Sequence, residues 1–181
     1  MEQLFTISVF TENKVGILNR ITIIFTRRHL NIESITASES QINGVYRYIF
    51  VVKATEVQVK KVVAQIEKLV EVIKSFYYSE EKIVYQELAL YKVQTSALND
   101  LAVERIIREH HARVLTIDAA FVIIEKTGHE YENWALFEAL HPFGVLEFAR
   151  SGRVAITKPM KTLAAYLEEI SPEFKLRESA V

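Results

Sequence analysis

Leu4-Phe5-Thr6-Ile7-Ser8-Val9-Phe10-Thr11-Glu12-Asn13-Lys14-Val15-Gly16-Ile17-Leu18-Asn19-Arg20 is the stretch that decides how this chain is read. Phe5, Ile7 and Val9 alternate with Thr6 and Ser8, the period of a strand with one face in a core. Past Gly16 the period changes. Ile17, Ile21, Ile24 and Phe25 share one face of a helix over residues 16–29. Asn13 and Gly16 therefore sit at a strand-to-helix turn. A helix start presents N–H groups that attract a carboxylate. Gly lets a ligand approach the backbone closely, and an Asn amide both donates and accepts. Such a turn suits the carboxylate and ammonium of a free amino acid, which points to a metabolite sensor more than to an enzyme. The same two residues also fit a plain cap and turn, and Asn31, further on, also fits a loop residue satisfying the backbone.

Working outward, residues 30–38 read as a second strand, rich in β-branched side chains. Asn43-Gly44 marks a hairpin turn, so 45–53 is a third strand. A helix over 56–70 follows, with Val59, Val62, Val63, Ile66 and Leu69 on one face, and then a strand over 71–78. The order is βαββαβ. It leaves one sheet face under both helices and the other to solvent or a partner. The same order recurs: strand 85–95, helix 99–111, strands 112–118 and 120–126, helix 130–140 and strand 144–149. The fold class is thus α+β, with two ferredoxin-like βαββαβ domains over residues 1–79 and 84–156, joined at the polar patch Ser79-Glu80-Glu81-Lys82. The tail, 157–181, holds a candidate helix with Met160, Leu163, Leu167 and Ile170 spaced for docking on its own domain or on a partner.

Composition narrows the function. Cysteine is absent, which excludes disulfide scaffolds, thiol nucleophiles and cysteine-ligated zinc. The five histidines have no zinc-type spacing. Net charge is −1 without a basic stripe, which argues against nucleic acid as a partner. No signal peptide or membrane-spanning run is read, so a cytoplasmic location is expected. Ser151 lacks a nucleophile-elbow setting, and no phosphate-binding glycine loop is present. Tyr46, Tyr48, Phe50, Tyr77 and Tyr78 are aromatic strand residues, expected in a core or a dimer surface rather than a base-stacking platform.

The block Glu12-Asn13-Lys14-Val15-Gly16-Ile17-Leu18-Asn19-Arg20, with Asn31-Ile32-Glu33-Ser34-Ile35 downstream, strongly resembles the regulatory small subunit of acetohydroxyacid synthase, or acetolactate synthase. Ala149-Arg150-Ser151-Gly152 is similar to the closing motif of that family. The resemblance implies that the first domain is an ACT domain, an amino-acid sensor that pairs into a homodimer. It implies a branched-chain amino acid, usually valine, bound between two such domains by Asn13, Gly16 and Asn31, with Val15, Ile17, Leu18 and Ile35 as apolar neighbours. It further implies no catalysis and no cofactor in this chain. The partner would be a catalytic large subunit using thiamine diphosphate, magnesium and often FAD, activated by this chain and inhibited through it. An ACT-type sensor for another enzyme, or for a transcription factor, is the rival reading; no helix-turn-helix segment supports the latter.

Overall fold

A computed structural model describes residues 1–158. Its first sheet is organised on β1 (Gln3–Glu12), which is buried along almost its whole length because both faces are covered. Two antiparallel neighbours flank it, β3 (Val45–Ala54) and β4 (Val72–Ser79), and β2 (Ser34–Glu39) adds to β3, giving the order β2-β3-β1-β4. Register sorts the side chains. Ile7 opposes Phe50 and Tyr77, and Val9 opposes Tyr48, all on the face under α1 (Ile17–Arg27) and α2 (Glu56–Ile66). There Phe5, Ile21, Phe25, Phe50, Val59, Val62 and Ile66 form the core. Each such side chain contributes about 1.5–3 kcal/mol by leaving water. The Thr55 side chain and Gln58 close a capping box at the start of α2.

Two boundaries differ from the sequence expectation. His29 takes φ 53° and the chain turns there, so β2 begins at Ser34 rather than at residue 30. Leu30 and Ile32 pack on the core from a connection, so their burial does not require a strand. Likewise α2 ends at Ile66, and Leu69 reaches the core from the turn beyond it.

The second sheet has the order β6-β7-β5-β8, from β5 (Ile83–Gln94), β6 (Arg113–Ile117), β7 (Phe121–Gly128) and β8 (Val145–Arg150). Helices α3 (Leu101–Glu109) and α4 (Glu130–Leu140) cover one face, where Val103, Leu136 and Leu140 pack with Tyr91, Val93, Val122 and Ile124 of the sheet. A 3-10 turn at Thr95–Asn99 precedes α3, which therefore starts two residues later than the sequence suggested. A further strand, β9 (Val154–Thr157), was not anticipated; it pairs with the first residues of β5, Ile83 to Gln86.

That ribbon corrects the expectation for the helix-free face of the first sheet. Much of this face is given neither to solvent nor to another protein. Ile83, Tyr85 and Ala155 pack on Ile49 and Tyr78, and Thr6 and Ser8 are buried. The proposed tail helix lies outside the described residues.

Candidate functional site

The turn between β1 and α1 is built around Gly16. It occupies the N-cap position in the left-handed region, φ 85°, and an added Cβ would meet nothing within 4 Å. Conformation, not crowding, selects Gly here. No side chain caps α1 and its first turn has no acid. The Ile17 N–H reaches the Lys14 carbonyl at 3.4 Å, a long bond, and the following N–H groups belong to the orphan donors of a helix start. Asn13 is exposed. Its backbone N–H donates to the Gly44 carbonyl at 3.3 Å, tying the loop to the β2–β3 turn and leaving the amide side chain outside the helix cap. The plain-cap role is thus not the one Asn13 plays.

Nearby charges are already paired. Lys14 Nζ lies 2.7 Å from Glu12 Oε2, and Arg20 Nη2 lies 2.6 Å from Glu71 Oε1. The hydrogen bond and charge of Glu12 hold the Lys14 ammonium above its ordinary pKa, and the hydrogen bond from Arg20 holds the Glu71 carboxyl below its own. What remains unpaired at the turn is the backbone dipole, which favours an anion.

The apolar candidates divide. Val15 is fully exposed, Leu18 is 39% exposed and Ile35 is 40% exposed. Ile17 is 1% exposed and belongs to the core of the first domain, so it supports the turn from beneath. Asn31 is exposed, with Nδ2 3.4 Å from Glu33 Oε1. It stands beyond the far end of α1. Eleven helical residues separate it from Gly16, about 16 Å along the axis at ~1.5 Å per residue. One protomer therefore does not bring Asn31 to Asn13 and Gly16.

The corresponding turn of the second domain is closed. Asp100 caps α3, its Oδ1 accepting from the Ala102 N–H at 2.8 Å. A carboxylate of the chain itself occupies the position that the first domain leaves open. Among the described residues no cluster of His, Cys, Asp or Glu is arranged to hold a metal, and no helix is long and apolar enough to cross a membrane.

Comparison with known proteins gives the two halves their family. Residues 7–74 match the AHAS small subunit-like ACT domain, and residues 86–159 match the small subunit of acetolactate synthase. The acetolactate synthase small subunit of Bacillus subtilis is 35% identical over 172 residues, 94% of this chain and 99% of that protein. The chain belongs to the acetolactate synthase small-subunit family. The probable acetolactate synthase small subunit of Archaeoglobus fulgidus is 33% identical, covering 86% of this chain and 98% of its own. The crystal structure of the Thermotoga maritima acetolactate synthase small subunit is similar at a TM-score of 0.79 and 28% identity, over 88% of this chain and 99% of that one. The family assignment makes this a regulatory-subunit type of chain with an ACT fold at its N-terminus.

One part of this small subunit escaped sequence reasoning. Arg47 meets Ala155, and Gly152 lies against Ile35 and Thr36, between the two domains. The only sequence signal was the closing motif itself, which does not reveal its contact 116 positions away in the chain, between Thr36 and Gly152.

Proposed function

We propose that this chain is the non-catalytic regulatory subunit of an acetolactate synthase, which activates the catalytic subunit and makes it sensitive to a branched-chain amino acid, valine in the first instance. The observation that carries this reading is the contrast between the two helix starts: Gly16 leaves the first open and uncapped, whereas Asp100 fills the second. In this reading the ligand carboxylate takes the first-turn N–H groups of α1. The Asn13 amide orients the polar end, and Leu18, Ile35 and Val15 face the ligand side chain.

The second half of the site comes from a second copy. β2 is a sheet edge, and an unpaired edge invites pairing. Antiparallel pairing of two β2 edges about a two-fold axis carries Asn31 of one protomer toward the α1 N-terminus of the other, bridging the ~16 Å that separates them within one chain. It also covers Val15, which one protomer leaves bare. The catalytic subunit supplies the chemistry, with its own thiamine diphosphate, magnesium and FAD. Inhibition requires that valine bind the inhibited arrangement more tightly than the active one, since equal affinity shifts nothing.

Calorimetric titration of the chain with valine, leucine and isoleucine, with serine and phenylalanine as controls, tests the sensor. Saturable branched-chain binding by a dimer, weakened at least about tenfold in Asn13→Ala and in Asn31→Ala, is expected. Mixing these two variants restores one intact site in each mixed dimer. Binding of serine or phenylalanine alone, or a monomer with full affinity, overturns the reading.

A further inference from the structure

Between β8 and β9 the chain makes a bulge. Ala89 opposes Arg150 and Gln86 opposes Val154, so residues 151–153 face only Glu87 and Leu88 of β5. A bulge re-aims the strand that carries it, and here its fastening is specific. The Ser151 N–H donates to the Leu88 carbonyl at 2.8 Å, and the Leu88 N–H donates to Ser151 Oγ at 2.9 Å. On either side, Arg150 and Arg153 converge on the buried Glu87, at 2.9 and 3.5 Å, and Arg153 also reaches Glu80 at 2.8 Å. The guanidinium of Arg153 lies 3.9 Å over the ring of Tyr85.

Gly152 is held by this frame against the edge strand of the other domain. A Cβ there would stand 2.5 Å from Thr36 Oγ1, 2.8 Å from the Ile35 carbonyl oxygen and 3.1 Å from its carbon. Thr36 could turn aside; the Ile35 backbone could not. A second point of contact follows at once. Arg47 donates to the Ala155 carbonyl at 2.7 Å and to Ser8 Oγ at 3.2 Å, with its guanidinium 5.3 Å over Phe10. Burial holds the pKa of that guanidinium below its ordinary value, and no carboxylate among the described residues pairs with it. The contact thus joins backbone of one domain to a half-buried charge of the other.

β2 is the strand that follows Asn31, carries Ile35 and forms the proposed two-fold edge. We infer that the 150–153 bulge is the joint through which occupancy of the effector site is passed to the second domain, with Gly152 reading the position of β2 and Arg47 holding the strand that follows. The inference rests on the proposed effector site. Displacement of β2 has to move the bulge, and Arg150 and Arg153 transfer that movement to Glu87 and the second sheet. Gly152 and Arg47 are positioning residues in this scheme; neither touches the ligand.

The test uses the full chain with its catalytic subunit. In Gly152→Ala and in Arg47→Met, calorimetric valine affinity of the regulatory chain is expected to stay within about threefold of wild type, and activation without valine to persist, while inhibition at saturating valine is lost. A residue with a merely structural role would not separate binding from inhibition. Hydrogen exchange of the wild-type complex provides an arm that needs no variant: saturating valine is expected to change protection at residues 151–157. Both variants inhibited like wild type, both losing binding together with inhibition, or unchanged protection at 151–157 would overturn the joint while leaving the effector site standing. A wild-type complex that binds no valine would overturn the site, and the joint with it.

Discussion

Replacing Asn13 by Ala separates a binding role from a structural one. The side chain is exposed, does not cap α1 and has no hydrogen bond among the described residues. Its removal should therefore change stability by no more than ~0.5 kcal/mol, the usual range for a surface substitution without such a partner. A true cap would cost about 0.5–2 kcal/mol. In the proposed site the amide instead meets a charged end of the amino acid, and such a hydrogen bond is worth about 1.5–3 kcal/mol. That corresponds to a valine affinity lower by roughly 10- to 150-fold. The assay is paired: thermal or urea unfolding for stability, and calorimetry for affinity, on the same preparation. An unchanged melting temperature with a large loss of affinity is expected. Unchanged affinity, or a fall in stability of the size of a lost cap, would refute the assignment.

Other outcomes follow from the same geometry. Gly16→Asp places an L side chain at φ 85° and a carboxylate where the ligand carboxylate should lie; calorimetry should detect no valine binding, at a stability cost of about 1 kcal/mol. Glu87→Ala removes one of two carboxylates from each of Arg150 and Arg153, which keep Glu130 and Glu80; the loss of a charged hydrogen bond costs about 1.5–3 kcal/mol, and calorimetric melting should fall by roughly 3–12 °C. Tyr91 is buried and donates to the Asn133 carbonyl at 2.7 Å, and burial raises its pKa, as it does for Tyr48, Tyr78 and Tyr85. A phenol raised on folding contributes stability that is fully present below its unfolded pKa of about 10 and is lost as pH rises further. Urea midpoints should thus hold up to about pH 10 and decline above it, less steeply in Tyr91→Phe; an equal decline in that variant would exclude this residue as a cause.

What the sequence made legible was local. Phe5, Ile7 and Val9 announce β1 by alternation, and α4 was placed at its observed bounds, Glu130–Leu140. Gly16 stood out because a helix start there needs its backbone freedom. The start of β2 was misplaced because Leu30 and Ile32 pack half-buried on the core from a connection, and an apolar residue without alternation does not distinguish strand from loop. β9 was missed for a different reason. It pairs with Ile83 to Gln86, just past the polar junction, and the small core there joins Ile83 and Ala155 to Ile49 of the other domain, a contact that no pattern local to residues 154–157 marks. Ile17, an apolar neighbour of the site by resemblance, is turned by helical rotation into the core of the first domain, which its place in the apolar stripe of the helix already indicates. The contact of Gly152 with β2 depends on how two separate sheets meet, which no local pattern encodes.

The most direct measurement is the activity of the purified catalytic subunit, alone and with this chain, as valine is raised. The expected result is activation by the chain without valine, then a saturable fall toward the activity of the inhibited complex, with Asn13→Ala activating equally but resisting valine. A chain that leaves the activity of the catalytic subunit unchanged, with and without the branched-chain amino acids, would contradict the account.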